Sequence, residues 1–146
     1  MMVFTNLAFT VPGAPQGKGR ARATKTGRMY TPAQTVAYES LVRLAAAAAM
    51  GPGRPMDGPL ALEIEAVHAV PPSWSNKRRL AALAGELHPV VKPDFDNVAK
   101  AIGDAGNGVV WVDDRQIVRC LSIKRYGARP EVQVRVAALG RLPCPG

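Results

Sequence analysis

The chain has 146 residues, 47% of them apolar and 21% charged, with 19 Lys and Arg against 11 Asp and Glu for a formal charge of +8. That length bounds it to one domain with a modest core, and that balance excludes wholesale disorder. The positive excess points to a polyanionic partner, nucleic acid first, although a basic face is also what many proteins simply show to water.

Residues 3–11 (VFTNLAFTV) alternate as a strand with Leu7, Phe9 and Val11 on one face. The next segment, 12–28, is rich in Pro and Gly and carries Lys18, Arg20, Arg22, Lys25 and Arg28 with no acid, which predicts a loop or irregular hairpin. Thr31-Pro32-Ala33-Gln34 reads as a helix start, with Thr31 as cap, Pro32 at the first position and Gln34 closing a capping box. The helix runs to about Met50, burying Ala37, Leu41, Leu44, Ala45 and Ala48, and stops at the GPG of 51–53.

Residues 60–70 (LALEIEAVHAV) alternate strictly and predict a half-buried strand. PPSWSNKRRLAALAG (71–85) predicts a short helix capped by Ser73 or Ser75 and stopped by Gly85. A third helix is expected from about Asp96 to Ala105, followed by strands at 109–112 (VVWV), 116–126 and 131–139. The fold class is therefore α+β: a single domain over residues 1–139 with a mixed sheet of four to five strands and about three helices. Residues 140–146 read as a flexible tail.

Two cysteines, Cys120 and Cys144, form no CxxC pair and fit a reducing compartment. The N-terminus has no signal-peptide pattern, and no apolar run approaches the ~20 residues that span a bilayer. The chain reads as soluble and cytoplasmic, with no membrane partner.

The chemistry concentrates in KPDFDNVAK (92–100). Asp94, Asp96, Asp104, Asp113 and Asp114 lie within 21 residues and make up five of the 11 acids. In an extended segment Asp94 and Asp96 point to one side and Phe95 turns into the core. Asp96 is also placed to cap the following helix, and a lone DxD is what an ordinary capped helix looks like. On that helix Asn97, Lys100 and Asp104 share a face, and Lys100 stands four residues from Asp96. A turn returning Asp114 to the Asp94/Asp96 side brings three carboxylates together. Unneutralised, they raise one another's pKa; a hard divalent cation such as Mg²⁺ relieves that repulsion and takes oxygen ligands.

Other motifs fail on spacing. An EF-hand from Asp94 lacks its ligands at Val98 and Ala105 and its glycine at Ala99. GAPQGKG (13–19) is one residue short of a P-loop, with Gly19 where Ser or Thr belongs, so no nucleotide cofactor is expected. His68 reads as a satisfied core residue and His88 as a loop residue. Lys77, Arg78 and Arg79 form a second basic cluster beside Trp74, which either packs into the core or stacks on a base.

KPDFDNVAKAIGDAGNGVVWVDDRQIV (92–118) resembles the signature of RusA-type Holliday-junction resolvases, and PPSWSNKRR, PGAPQGKGRAR and YTPAQT resemble phage-type members. The resemblance spans most of residues 10–126. It implies an α+β, homodimeric, Mg²⁺-dependent endonuclease, with Mn²⁺ as substitute, that nicks four-way DNA junctions symmetrically in recombination and repair. It also implies a bacterial cytoplasm, with the gene in host, phage or prophage. By position Asp94, Asp96 and Asp114 match the metal-binding catalytic carboxylates and Lys100 the catalytic lysine, with Asp113 and Asn97 at accompanying positions and Asp113 expected as a further metal ligand. Lys18, Arg20, Arg22, Lys25, Arg28, Lys77, Arg78 and Arg79 are the expected DNA contacts. Family members usually carry larger apolar residues where this chain has Gly103 and Gly106, which puts helix stability or dimer geometry in question. Two rival readings stand beside this one: the same site acting on flaps, forks or bubbles, and a non-catalytic DNA-binding protein whose acids merely cap a helix.

Overall fold

The structure is a computed structural model that describes residues 6–19 and 22–140, with nothing described of the Arg22 side chain. The expected strand residues 3–5, Arg20 and the tail at 141–146, with Cys144, lie outside the described residues.

A four-stranded sheet is built from β1 (Leu7–Pro12), β4 (Leu60–Ala69), β5 (Ile117–Gly127) and β6 (Glu131–Ala138), in the order β1-β6-β4-β5. A two-stranded ribbon, β2 (Arg22–Ala23) with β3 (Met29–Tyr30), stands apart from it. Three helices complete the fold: α1 (Ala33–Met50), α2 (Asn76–Leu83) and α3 (Phe95–Ala105). The sheet is mixed: β4 and β5 run parallel, while β6 is antiparallel to both β1 and β4. A parallel neighbour requires a crossover, and here the crossover carries α2 and α3. This is the expected α+β class.

The main core lies between the sheet and two helices, α1 and α3, which pack against each other. Alternation selects its sheet side: Phe9 and Val11 from β1, Leu60, Leu62, Ile64 and Ala66 from β4, Val132, Val134 and Val136 from β6. β4 is buried on both faces rather than half-buried, with Ala61, Glu63 and Val67 as enclosed as their neighbours. On that second face the long Arg125 and Arg135 side chains of the flanking strands β5 and β6 reach over β4 to pair with Glu65 at 3.7 and 3.4 Å.

Several local expectations need correction. α1 begins one residue later than its capping box requires: Pro32 takes the cap position with no side-chain cap, and its carbonyl accepts from Thr35 and Val36. The buried face of α1 is Thr35, Tyr38, Val42 and Ala46, flanked by Leu41 and Ala45, while Ala37, Leu44 and Ala48 face solvent. The VVWV segment is a turn, not a strand. It folds back over the end of α3, where Trp111 is wholly buried and its indole N–H donates to the Gly103 carbonyl at 3.0 Å. His68 is only half-buried, and its Nε2 is enclosed without a hydrogen-bond partner among the described residues. Burial first, then the Lys124 charge, lowers its pKa.

α2 forms as expected, capped by Ser75, whose Oγ accepts from the Arg78 N–H, and Gly85 follows at φ 83°. A smaller apolar cluster of Val70, Ala82 and Tyr126, with Trp74 and Leu87 against it, secures α2 to the sheet. Among the described residues, no helix is long and apolar enough to cross a membrane.

Candidate active site on helix α3

α3 starts one residue before its expected beginning, with Asp94 as N-cap. The Asp94 side chain makes no capping bond, so its carboxylate is left free by the helix it precedes. Asp96 sits in the first turn, where the exposed N–H groups and the helix dipole favour a negative charge. Because the backbone turns helical at residue 95, the extended pattern that should bury Phe95 does not apply. Phe95 is 61% exposed between the two carboxylates.

The segment after α3 brings in the next acidic pair. Asp114 begins a short 3-10 turn, Asp114–Gln116, capped by Asp113 in a reciprocal capping box with Gln116. The Asp113 carboxylate accepts from the Arg115 N–H at 2.9 Å through Oδ1, which holds the turn. Gln116 ties the turn down by donating to the carbonyls of Met56 and Gly58 at 2.8 and 3.0 Å. Asp114 is thereby seated against α3. A Cβ at Gly103 would stand 3.6 Å from the Asp114 Cβ, and Asn107 donates to Asp114 Oδ1 at 3.5 Å.

Lys100 closes the arrangement. Its ammonium lies 3.2 Å from Asp104 Oδ1 and 3.9 Å from Asp114 Oδ2, not beside the Asp94/Asp96 pair as the four-residue spacing predicts. Asp96, Lys100 and Gly103 follow one another at helical spacing, so they form one stripe along α3, and Asn107 lies just past its C-cap. Asp114 lies against the lower part of that stripe, about 6–10 Å along the axis from Asp96 at 1.5 Å per residue. Among the described residues no three His, Cys, Asp or Glu side chains converge to hold a metal ion. The donor set along the stripe is nonetheless all oxygen, which is the chemistry a hard divalent cation requires.

The glycine-containing segment before the ribbon lies over the same helix. The Lys18 N–H donates to the Asn97 carbonyl at 3.1 Å, and the Gly19 N–H to Thr35 Oγ1 at 3.1 Å. The Lys18 ammonium is turned inward, 2.5 Å from Glu39 and 3.2 Å from Asp104, and these partners raise its pKa, Glu39 most. Its side chain keeps 28% of its surface exposed while its charge is paired to these two carboxylates. Between this segment, the start of α1 and the turn before α3 is a cleft of about 700 Å³, lined in part by Gln16, Gly19, Thr35, Lys92 and Pro93. Its lining ends at Pro93, the residue before Asp94. The Lys92–Pro93 peptide is cis.

Lys25 and Arg28 are exposed on the ribbon's turn, which Thr24 organises by accepting from Gly27 and Arg28. Lys77 and Arg78 are exposed on α2, with Arg79 half-buried. The Arg78 guanidinium lies 3.7 Å over the Trp74 ring, and Trp74 meets Tyr126 edge-on at 5.3 Å. Trp74 therefore packs, and one of its faces is covered.

Gly106 is at the C-cap of α3, and a Cβ there would fall 2.4 Å from the Trp111 ring. The indole occupies the room a larger side chain would need, so apolar surface missing at Gly106 is supplied by Trp111. Sequence reasoning missed Asp104 as a double ion-pair partner and Asn107 as a neighbour of Asp114. The Lys100–Asp104 spacing of four was the available signal for the first; the second depends on the path of residues 107–113.

The chain is 33% identical over 135 residues to the uncharacterized protein YqaN of Bacillus subtilis (strain 168), covering 89% of this chain and 94% of that protein. Residues 12–137 match the family of endodeoxyribonuclease RusA, a span that includes all of α3, the Asp113-Asp114 turn and the ribbon. The chain belongs to the RusA endodeoxyribonuclease family and is a nuclease.

Proposed function

We propose that this chain is a Mg²⁺-dependent, structure-selective endodeoxyribonuclease that acts as a homodimer and resolves four-way DNA junctions by paired symmetrical nicks in recombination and repair. The observation that carries the reading is the line of groups on α3: free carboxylates at its start, and a lysine 3.9 Å from Asp114 further along. Asp94, Asp96 and Asp114 are the residues to hold the cation, with Mn²⁺ as substitute. When bound, such a cation polarises a phosphoryl oxygen and lowers the pKa of attacking water.

The chain's own groups supply the rest. Lys100 stands where it can stabilise charge on the phosphate or the leaving oxygen. Asp113 and Gln116 fix the turn that presents Asp114. Lys25 and Arg28 on the ribbon, with Lys77, Arg78 and Arg79 on α2, hold the backbone of the DNA arms through phosphate contacts that carry no sequence information. Arg20 and Arg22 belong to the same basic segment. A two-fold junction cut symmetrically calls for a two-fold enzyme.

The test is a nick map of labelled four-way junction, fork, flap and linear duplex at fixed salt, with and without Mg²⁺, alongside sedimentation of the protein. Paired nicks on the junction, dependent on the metal, with a dimer in solution, are expected. Cleavage confined to forks or flaps would move the substrate to another branched DNA, and binding without cleavage would remove the catalytic reading.

A further inference from the structure

The ion pairs of α3 form a chain that extends beyond the residues given a catalytic role. Glu39 on α1 holds Lys18, Lys18 reaches Asp104, Asp104 holds Lys100, and Lys100 reaches Asp114. Asp104 is the branch point. Its two oxygens take different lysines, Oδ2 with Lys18 and Oδ1 with Lys100, both at 3.2 Å. It also lies in the last turn of α3, where the helix dipole disfavours a carboxylate, so the two ammonium groups offset a placement the helix alone would not favour.

We infer that Asp104 is a positioning residue: it holds the Lys100 ammonium off Asp114 and ties the segment around Lys18 to the same helix. An exposed pair four residues apart on a helix ordinarily orients little. Asp104 differs because its side chain is only 20% exposed and is fixed by a second cation from another part of the chain. The Lys100 side chain, by contrast, is 58% exposed and, among the described residues, has two carboxylates in reach, at 3.2 and 3.9 Å. Without the Asp104 charge, Asp114 is the remaining anion, and Lys100 closes on it. That pairing covers an Asp114 oxygen and removes the lysine from the position facing substrate. Lys18 loses one of its two partners at the same time, which loosens the segment that donates to the Asn97 carbonyl and Thr35.

The inference rests on the reading of Lys100 and Asp114 as parts of a nuclease site, so its test has one arm that does not depend on cleavage. Wild type, Asp104→Asn, Asp104→Glu and Lys18→Met are compared by single-turnover cleavage of a four-way junction, by junction binding without metal, and by amide hydrogen exchange at residues 17–19. Asp104→Asn should slow cleavage by roughly 10–100-fold, the scale of a misplaced reacting group, with junction affinity changed by less than about threefold. It should also speed exchange at residues 17–19, and Asp104→Glu should restore part of both. Cleavage by Asp104→Asn at the wild-type rate overturns the inference, as does slow cleavage with unchanged exchange and no recovery in the Glu variant. If Asp104→Asn fails to fold, Lys18→Met decides: faster exchange with a smaller rate loss supports the chain of ion pairs, and no change in either refutes it. Persistent cleavage by an Asp94→Asn control would sink the nuclease-site reading instead, while the exchange result still judges Asp104.

Discussion

At the start of α3, Asp94 and Asp96 are exposed and have no ion-pair partner among the described residues, whereas at its other end Asp104 is shared by two lysines and Asp114 stands against Lys100 and Asn107. The helix explains the asymmetry. A carboxylate at the N-terminus is favoured by the dipole, while one in the last turn, as Asp104 is, gains from cations beside it; Asp114 lies outside α3 and is held by its own turn. On the proposed reading the contrast separates two tasks: Asp94 and Asp96 stay open for an incoming cation, while the ion pairs of Asp104 fix the geometry around Lys100 and Asp114. Losses at the open end should therefore fall on chemistry, and losses at the closed end on placement and stability.

The largest effect expected is at the open end. Asp94→Asn preserves shape and removes a charge, and it should lower Mg²⁺-dependent junction cleavage by at least about 10²–10³-fold, the range for loss of one group that stabilises developing charge. Junction affinity in a band-shift without metal should be retained. Equal loss of binding and cleavage would mean that Asp94 serves folding or docking, and the contrast would collapse. Lys100→Ala, midway along the stripe, should cost roughly 10²-fold in rate with little change in metal dependence. Unchanged turnover would reduce Lys100 to an ion-pair partner of Asp104.

At the closed end, Gly106→Ala should destabilise the fold by about 1–3 kcal/mol in urea unfolding, since a methyl group cannot be placed 2.4 Å from a buried indole without moving it. A stable Gly106→Ala protein would show that Trp111 can shift, and that this end is less fixed than its contacts imply. The ribbon probes a third position. Lys25→Ala or Arg28→Ala should each weaken junction binding several-fold and reduce the slope of log affinity against log salt by about one, with the cleavage rate of bound junction unchanged.

Much of this arrangement is legible in the residues. Alternation marks β1 and β4, Ser75 marks the start of α2, and the spacing of Asp94, Asp96 and Lys100 marks one end of the candidate site. The errors have physical causes. The alanines of α1 pack equally well on any face, so only Tyr38 and Val42 set its rotation, and Leu44 misleads. A short apolar run such as VVWV has no period to distinguish strand from turn, and its folding is decided by the slot over Gly106 that Trp111 fills. Phe95 reads as core only while the chain is taken as extended; once Asp94 is the cap, the residue after it points to solvent. The landing of Asp114 beside Gly103, rather than beside Asp96, depends on tertiary ties from Gln116 to Met56 and Gly58 that no local pattern announces.

The smallest effect expected is the most discriminating for the seat of Asp114. A methyl at Gly103 would meet Asp114 Cβ at 3.6 Å and Oδ2 at 3.8 Å, ordinary contact distances. Alanine also favours a helix interior over glycine by about 1 kcal/mol. Gly103→Ala should thus leave stability equal or slightly raised in urea unfolding, with cleavage within about twofold of wild type, as for a substitution that makes no clash. A bulkier Gly103→Leu reaches into the space of Asp114 and should slow cleavage while junction binding persists. If Leu is tolerated with full activity, Asp114 does not depend on the gap at Gly103, and the closed end of α3 has freedom that its ion pairs do not suggest.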